Sequence, residues 1–111
     1  MRRAYELMAI IDSDVASHDV EAVIARVAGL IENENGRVAS TDNWGRREFA
    51  YEINHKTHGT YVVWQIVTES AGLPVTERQL RIADDIVRHK LFRLPEAEAA
   101  RRGLLEGAKS E

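Results

Sequence analysis

The chain has 111 residues, 15 Lys and Arg against 18 Asp and Glu, a formal net charge of −3 and no cysteine. That length holds one domain able to bury roughly two-thirds of its unfolded surface. The composition excludes a disulfide frame, a thiolate nucleophile, Cys-ligated zinc and a uniformly basic surface. No apolar run approaches the roughly 20 residues needed to cross a bilayer. Arg2 and Arg3 precede the first apolar run, as in a signal peptide, but that run is short, contains Glu6 and lacks a small-residue cleavage pattern. It reads as a strand, in a soluble protein of a reducing cytoplasm.

In chain order, Ala4 to Ile11 places Tyr5, Leu7, Ala9 and Ile11 on one strand face and Met8 and Ile10 on the other. A strand apolar on both sides belongs in the middle of a sheet. Asp12 to Ala16 reads as a turn, and Ser17 as a helix N-cap with Asp19 and Glu21 in the first turn. Val20, Val23, Ile24, Val27, Leu30 and Ile31 then recur at the spacing of one buried helical stripe. Asn35-Gly36 ends this helix with residues that tolerate the left-handed conformation.

A second strand starts near Arg37 and runs through W-G-R-R-E-F-A-Y-E-I, Trp44 to Ile53. Its alternation changes phase across Gly45, which predicts a bulge. Arg46 and Arg47 face opposite sides unless the bulge re-aims one of them. Asn54 to His58 reads as a hairpin loop, and Gly59 leads into a third strand, Thr60 to Thr68. It too is apolar on both faces, with Tyr61, Val63 and Val67 against Val62, Trp64 and Ile66. Pro74 opens a second helix reaching about Asp84, with a stripe of Val75, Leu80 and Ala83. A fourth strand, Ile86 to Leu94, is closed by Pro95. The domain thus spans residues 1–94; the charged, Ala-rich tail from Glu96 to Glu111 reads as a frayed helix or a disordered segment.

The order βαββαβ predicts an α+β, ferredoxin-like domain: a four-stranded antiparallel sheet, order 4-1-3-2, with both helices on one face. The two strands that read as apolar on both faces are the two this fold puts in the middle. The topology gathers Arg2, Arg3 and Arg93 at one end of the sheet. Lys56, His55 and His58 fall at the other end near Arg88, with Arg46 and Arg47 on the edge strand between. The open face displays apolar side chains, the mark of a partner surface. Charge is segregated as well: Asp12 to Glu34 is acidic apart from Arg26, whereas Arg78 to Arg93 is mainly basic.

Catalytic and metal chemistry finds no support in the residue pattern. His18, His55, His58 and His89 lack ligand spacing, adjacent Asp84 and Asp85 do not converge, and no serine has a base pattern nearby. Neither an enzyme nor a cofactor is expected. RNA-recognition motifs share the topology and stack bases on sheet aromatics. Here the corresponding stretch, His58-Gly59-Thr60-Tyr61-Val62, lacks the first aromatic and the small residue, and Tyr61 and Trp64 fall on opposite faces. Phosphate contacts from Arg2, Arg3, Arg46, Arg47 and Lys56 remain open, because the Arg fork matches phosphate oxygens. The plainer reading of Arg46-Arg47 is a solvated guard on an edge strand.

Over about residues 1–94 the chain resembles the bacterial small-subunit ribosomal protein six family. The resemblance rests on Met1-Arg2-Arg3 with Tyr5-Glu6, on Trp44-Gly45-Arg46-Arg47, and on Ala50-Tyr51 with Ile53. Gly59-x-Tyr61 and Asp85-x-x-Arg88 extend it. Departures are Phe49 for a usual Leu, Glu52 for a common Pro, His55 for a usual basic residue, and an inserted Ala4 that shifts the register of Arg2 and Arg3. The resemblance implies a structural component of the small (30S) subunit. Such a protein binds the central domain of 16S rRNA together with ribosomal protein eighteen, as a heterodimer, and is a monomer when isolated. In such a role Arg2, Arg3, Arg46, Arg47 and Lys56 are expected to touch phosphates, with Arg88 and Arg93 as secondary candidates. The competing reading is a ferredoxin-like regulatory or oligomerising module that binds a small ligand or pairs through its sheet.

Overall fold

A computed structural model describes residues 2–53 and 55–105. The elements are β1 (Arg3–Asp12), a 3-10 turn (Ser17–Asp19), α1 (Val20–Asn33), β2 (Arg37–Ile53), β3 (Lys56–Thr68), α2 (Pro74–Ile82), β4 (Ile86–Arg93) and α3 (Glu96–Arg101). The strands form one antiparallel sheet in the order β2-β3-β1-β4, the expected arrangement. Residues directly opposite one another in antiparallel strands share a face. Tyr5, Leu7 and Ala9 pair with Ile66, Trp64 and Val62, and all six are buried with the stripe of α1. Trp64 is fully enclosed at the centre of this layer.

Helix α1 buries Val20, Val23, Ile24, Val27 and Ile31 as its periodicity predicts. Asn35 takes the left-handed conformation at φ 67°, and Gly36 N–H closes back on the Ile31 carbonyl at 2.9 Å. Gly36 is needed for space: a Cβ there would lie 2.8 Å from Ile31 Cγ2. Ser17 is not the N-cap of α1. It opens the 3-10 turn instead, and the capping position falls to Asp19, which makes no side-chain cap bond.

Helix α2 differs from its sequence reading in two respects. It ends at Ile82, and Val75 is exposed while Thr76 and Leu80 are buried. Glu34, just beyond α1, causes the rotation. Its carboxylate accepts from Val75 N–H (2.9 Å), Thr76 N–H (2.7 Å) and the Thr76 hydroxyl (2.8 Å). A carboxylate at a helix N-terminus satisfies orphan donors and the local dipole together, and this one turns Thr76 inward.

The hairpin is tighter than its sequence suggests. Strand β3 begins at Lys56 and Ile53 pairs with Lys56, so only residues 54 and 55 separate the strands. His55 adopts φ 64°, while Asn54, the start of the expected loop, lies outside the described residues. The expected bulge is present: Asn43 pairs with Val62 and Gly45 with Tyr61, leaving Trp44 as the extra residue. Gly45 takes φ 88°, a value that favours glycine, and its N–H is held by Asn43 Oδ1 at 2.8 Å.

After Leu94 the chain crosses to the other side of the sheet. Ala99 of α3 and Leu104 are buried against Ala4, Val67 and Leu94. Arg102 reaches Glu6 at 3.6 Å. One end of the face left open by α1 and α2 is therefore covered. Residues 106–111 of the expected tail lie outside the described residues.

Candidate nucleic-acid interface

The uncovered part of the open face is built by strand alternation. Met8 and Ile10 of β1 pair with Lys90 and Arg88 of β4 on one side, and with Val63 and Tyr61 of β3 on the other. The far end of β2 adds Phe49, Ala50, Tyr51 and Ile53 to the same surface, which surrounds a shallow depression of about 320 Å³. Phe49 meets Tyr61 edge-on, with centroids 6.2 Å apart. Gly59 permits this approach, since a Cβ would lie 2.4 Å from Ile10 Cγ2 and 3.0 Å from the Phe49 ring. Tyr51 stays 64% exposed, as an anchor for a partner would. The result is an apolar, aromatic floor with Arg88 and Lys90 along one edge.

The cations named from the sequence fall into three groups. Arg2, Arg3 and Arg93 line one small cleft at the covered end of the sheet, with Leu94 and Glu96. Arg3 Nη1 donates to the Glu69 carbonyl at 2.8 Å, and Arg2 lies 4.0 Å from the Glu69 carboxylate. Arg93, opposite Tyr5, faces the helix side, so it does not share the open face with Arg88, which is opposite Ile10. At the bulge, Arg46 pairs with Thr60 and Arg47 with Gly59, so the two point to opposite sides. Arg47 lies over the Trp44 ring, 5.4 Å from its centroid. Among the described residues, no carboxylate pairs with Arg46, Arg47, Arg88 or Arg93.

Lys56 differs from the other cations. Its ammonium is shared between Asp14 (2.5 Å) and Asp12 (3.3 Å), and the hydrogen bond to Asp14 is the main cause of its raised pKa. Arg26, the lone cation of the acidic segment, forms a two-pronged bond to Asp85 at 2.8 and 2.6 Å. That bond raises the guanidinium and holds the Asp85 carboxyl below its ordinary value. His89 is tied to Glu77 at 2.9 Å. Among the described residues no cluster of His, Asp or Glu is arranged to hold a metal, and no helix is long and apolar enough to cross a membrane.

Sequence reasoning missed Lys90 and Trp44 as members of this surface. The signal for Lys90 was present: Arg88, Lys90 and Phe92 alternate onto one face of β4, and Lys90 Nζ lies 5.8 Å from the Phe92 centroid. Trp44 is 46% exposed, with its indole N–H on Asp42 Oδ2 at 3.1 Å. Only the two-against-one geometry of the bulge reveals that it stands beside Arg47.

Comparison with known proteins agrees with this architecture. The family model described as Ribosomal protein S6 matches residues 4–93. The chain is 41% identical over 93 residues to the small ribosomal subunit protein bS6 of Carboxydothermus hydrogenoformans, covering 84% of this chain and 97% of that protein. It is 38% identical over 91 residues to bS6 of Desulforamulus reducens, covering 82% and 96%. The crystal structure of 30S ribosomal protein S6 from Thermotoga maritima superposes with a TM-score of 0.84 at 30% identity, over 95% of this chain and 99% of that one. The chain belongs to the ribosomal protein S6 family, as a structural, non-catalytic component of the small ribosomal subunit.

Proposed function

We propose that the protein binds the central domain of 16S rRNA together with ribosomal protein eighteen, as a heterodimer in which each partner completes the other's surface. The observation that carries this reading is the division of labour on the surface. An aromatic, apolar floor of Met8, Ile10, Phe49, Tyr51 and Tyr61 suits a protein partner, while cations with no carboxylate partner among the described residues stand at the bulge and along β4. Arg46 and Arg47 carry the strongest phosphate contacts, with Arg88 beside the protein interface. Arg2, Arg3 and Arg93 supply a second cluster at the covered end. Lys56 contributes less, because Asp12 and Asp14 already share its charge. RNA is held by shape and backbone contacts with little sequence readout. A net charge of −3 is compatible with this role, since the partner supplies further basic surface.

The test is sedimentation of the purified protein alone and mixed with ribosomal protein eighteen. The expected result is a monomer alone and a one-to-one complex on mixing, abolished by Tyr51→Asp with Met8→Asp. A stable homodimer that ignores the partner would favour the oligomerising module instead.

A further inference from the structure

The two tryptophans of the sheet stand in different surroundings. Trp64, at the centre of the sheet, is completely buried, whereas Trp44 sits at the bulge of edge strand β2 with 46% of its surface in water. An exposed indole of this kind normally samples several rotamers. Here two contacts hold it. Asp42 Oδ2 accepts the indole N–H at 3.1 Å, and the Arg47 guanidinium lies 5.4 Å from the ring centroid. Asp42 is opposite Val63, Gly45 opposite Tyr61 and Arg47 opposite Gly59, so Asp42, Gly45 and Arg47 share the open side of the sheet. Trp44, bonded to the first and stacked under the last, stands with them. Among the described residues, Asp42 meets only the indole N–H at the ring edge, and the part of the ring that Arg47 does not cover stays exposed.

A half-exposed indole with the Arg47 guanidinium over its ring, and no carboxylate paired with Arg47 among the described residues, matches the chemistry of an unstacked nucleotide. The base lies on the indole, and the following phosphate meets a guanidinium. Because stacking needs only a π face, such a site selects an unpaired base without selecting its identity. Building on the rRNA-binding reading, we propose that Trp44 and Arg47 form a stacking site for one unpaired nucleobase of the bound RNA, with Arg47 on its adjoining phosphate. The site differs from sheet-centre stacking on β3, which Tyr61 and Trp64 cannot provide from opposite faces.

The test uses the full chain in complex with ribosomal protein eighteen, titrated with a 16S central-domain fragment and followed by tryptophan emission. The contribution of Trp44 is the difference between the parent and Trp44→Phe, since Trp64 and the partner are common to both. The expected result is a Trp44 signal quenched on adding RNA and shielded from iodide. Trp44→Ala should weaken binding about tenfold, within the range known for one base–aromatic stack, with the salt dependence unchanged. Trp44→Phe should retain most of the affinity. Normal RNA affinity in Trp44→Ala with no quenching in the parent would overturn the stacking site and leave the rRNA reading standing. A Trp44 signal that changes on adding ribosomal protein eighteen alone, and not further with RNA, would overturn it in favour of a protein contact. Failure of the parent complex to bind RNA at all would remove the rRNA reading and this inference with it.

Discussion

Lys56 and Asp14 are 42 positions apart in sequence, yet the ammonium and carboxylate meet at 2.5 Å, with Asp12 at 3.3 Å from the same nitrogen. The pair ties the start of β3 to the turn that precedes α1, and it uses charge that the sequence alone assigns to RNA. Lys56→Met should therefore leave the salt dependence of rRNA binding close to that of the parent, because few counterions are released by a lysine already neutralised. Loss of a full unit of salt slope in this variant would place Lys56 on a phosphate after all.

Arg26 and Asp85 provide a stability contribution with a definite pH sign. The folded-state pKa of Asp85 is depressed, chiefly by its hydrogen bond to Arg26. Its contribution is therefore present above the ordinary carboxylate value of about 3.9 and is lost as pH falls through the lower folded value. The two side chains are 48% and 26% exposed, so the pair contributes only about 0.5–1 kcal/mol. Urea unfolding from pH 7 into the acid range should show Arg26→Ala less stable than the parent at pH 7, with the difference shrinking as Asp85 becomes protonated.

Glu34→Ala tests the cap that sets the rotation of α2. Removing it strands the Val75 and Thr76 N–H groups and a Thr76 hydroxyl bond. Loss of a helix cap costs about 1–2 kcal/mol, and each kcal/mol lowers the melting temperature of a domain this size by about 4–8 °C. Calorimetry should show that fall, with RNA affinity preserved below the transition. An unchanged melting temperature would mean that Leu73 and Leu80 packing, with the Thr76 hydroxyl on the Leu30 carbonyl at 3.1 Å, positions the helix without it.

Gly59→Ala probes the crossing of the hairpin with the open face. The added Cβ would meet Ile10 Cγ2 at 2.4 Å and the Ile11 carbonyl at 3.1 Å, and the backbone oxygen cannot rotate away. Overpacking of this kind costs about 1–3 kcal/mol. Displacement of Phe49 from Tyr61 should accompany it, visible as a change in near-ultraviolet circular dichroism.

The sheet order and the principal core were legible because β1 and β3 alternate apolar residues onto both faces, and only central strands are buried on both sides. Gly45 signalled its bulge through a phase change that no regular strand tolerates. What escaped depends on contacts between distant segments. Ser17 has the chemistry of a cap, but the 3-10 turn moves the helix start beyond it. Val75 and Thr76 exchange roles because Glu34, 42 positions before Thr76, captures the helix end. The docking of Ala99 and Leu104 gives almost no periodic signal, since α3 is six residues long and buries one alanine. In the candidate interface, the Arg cluster near the covered end follows from topology. The loss of Lys56 to two aspartates and the Trp44–Arg47 contact need the folded chain.

One titration series tests most directly whether this chain holds rRNA through cations at the β2 bulge in partnership with ribosomal protein eighteen. Affinity for a 16S central-domain fragment would be measured across salt, with and without the partner, for the parent and for Arg46→Ala/Arg47→Ala. The expected result is partner-dependent binding that weakens with salt, and a salt slope reduced by about 1–2 units in the double variant, following the relation known for DNA. An unchanged slope and affinity in that variant, or parent binding indifferent to both partner and salt, would contradict it.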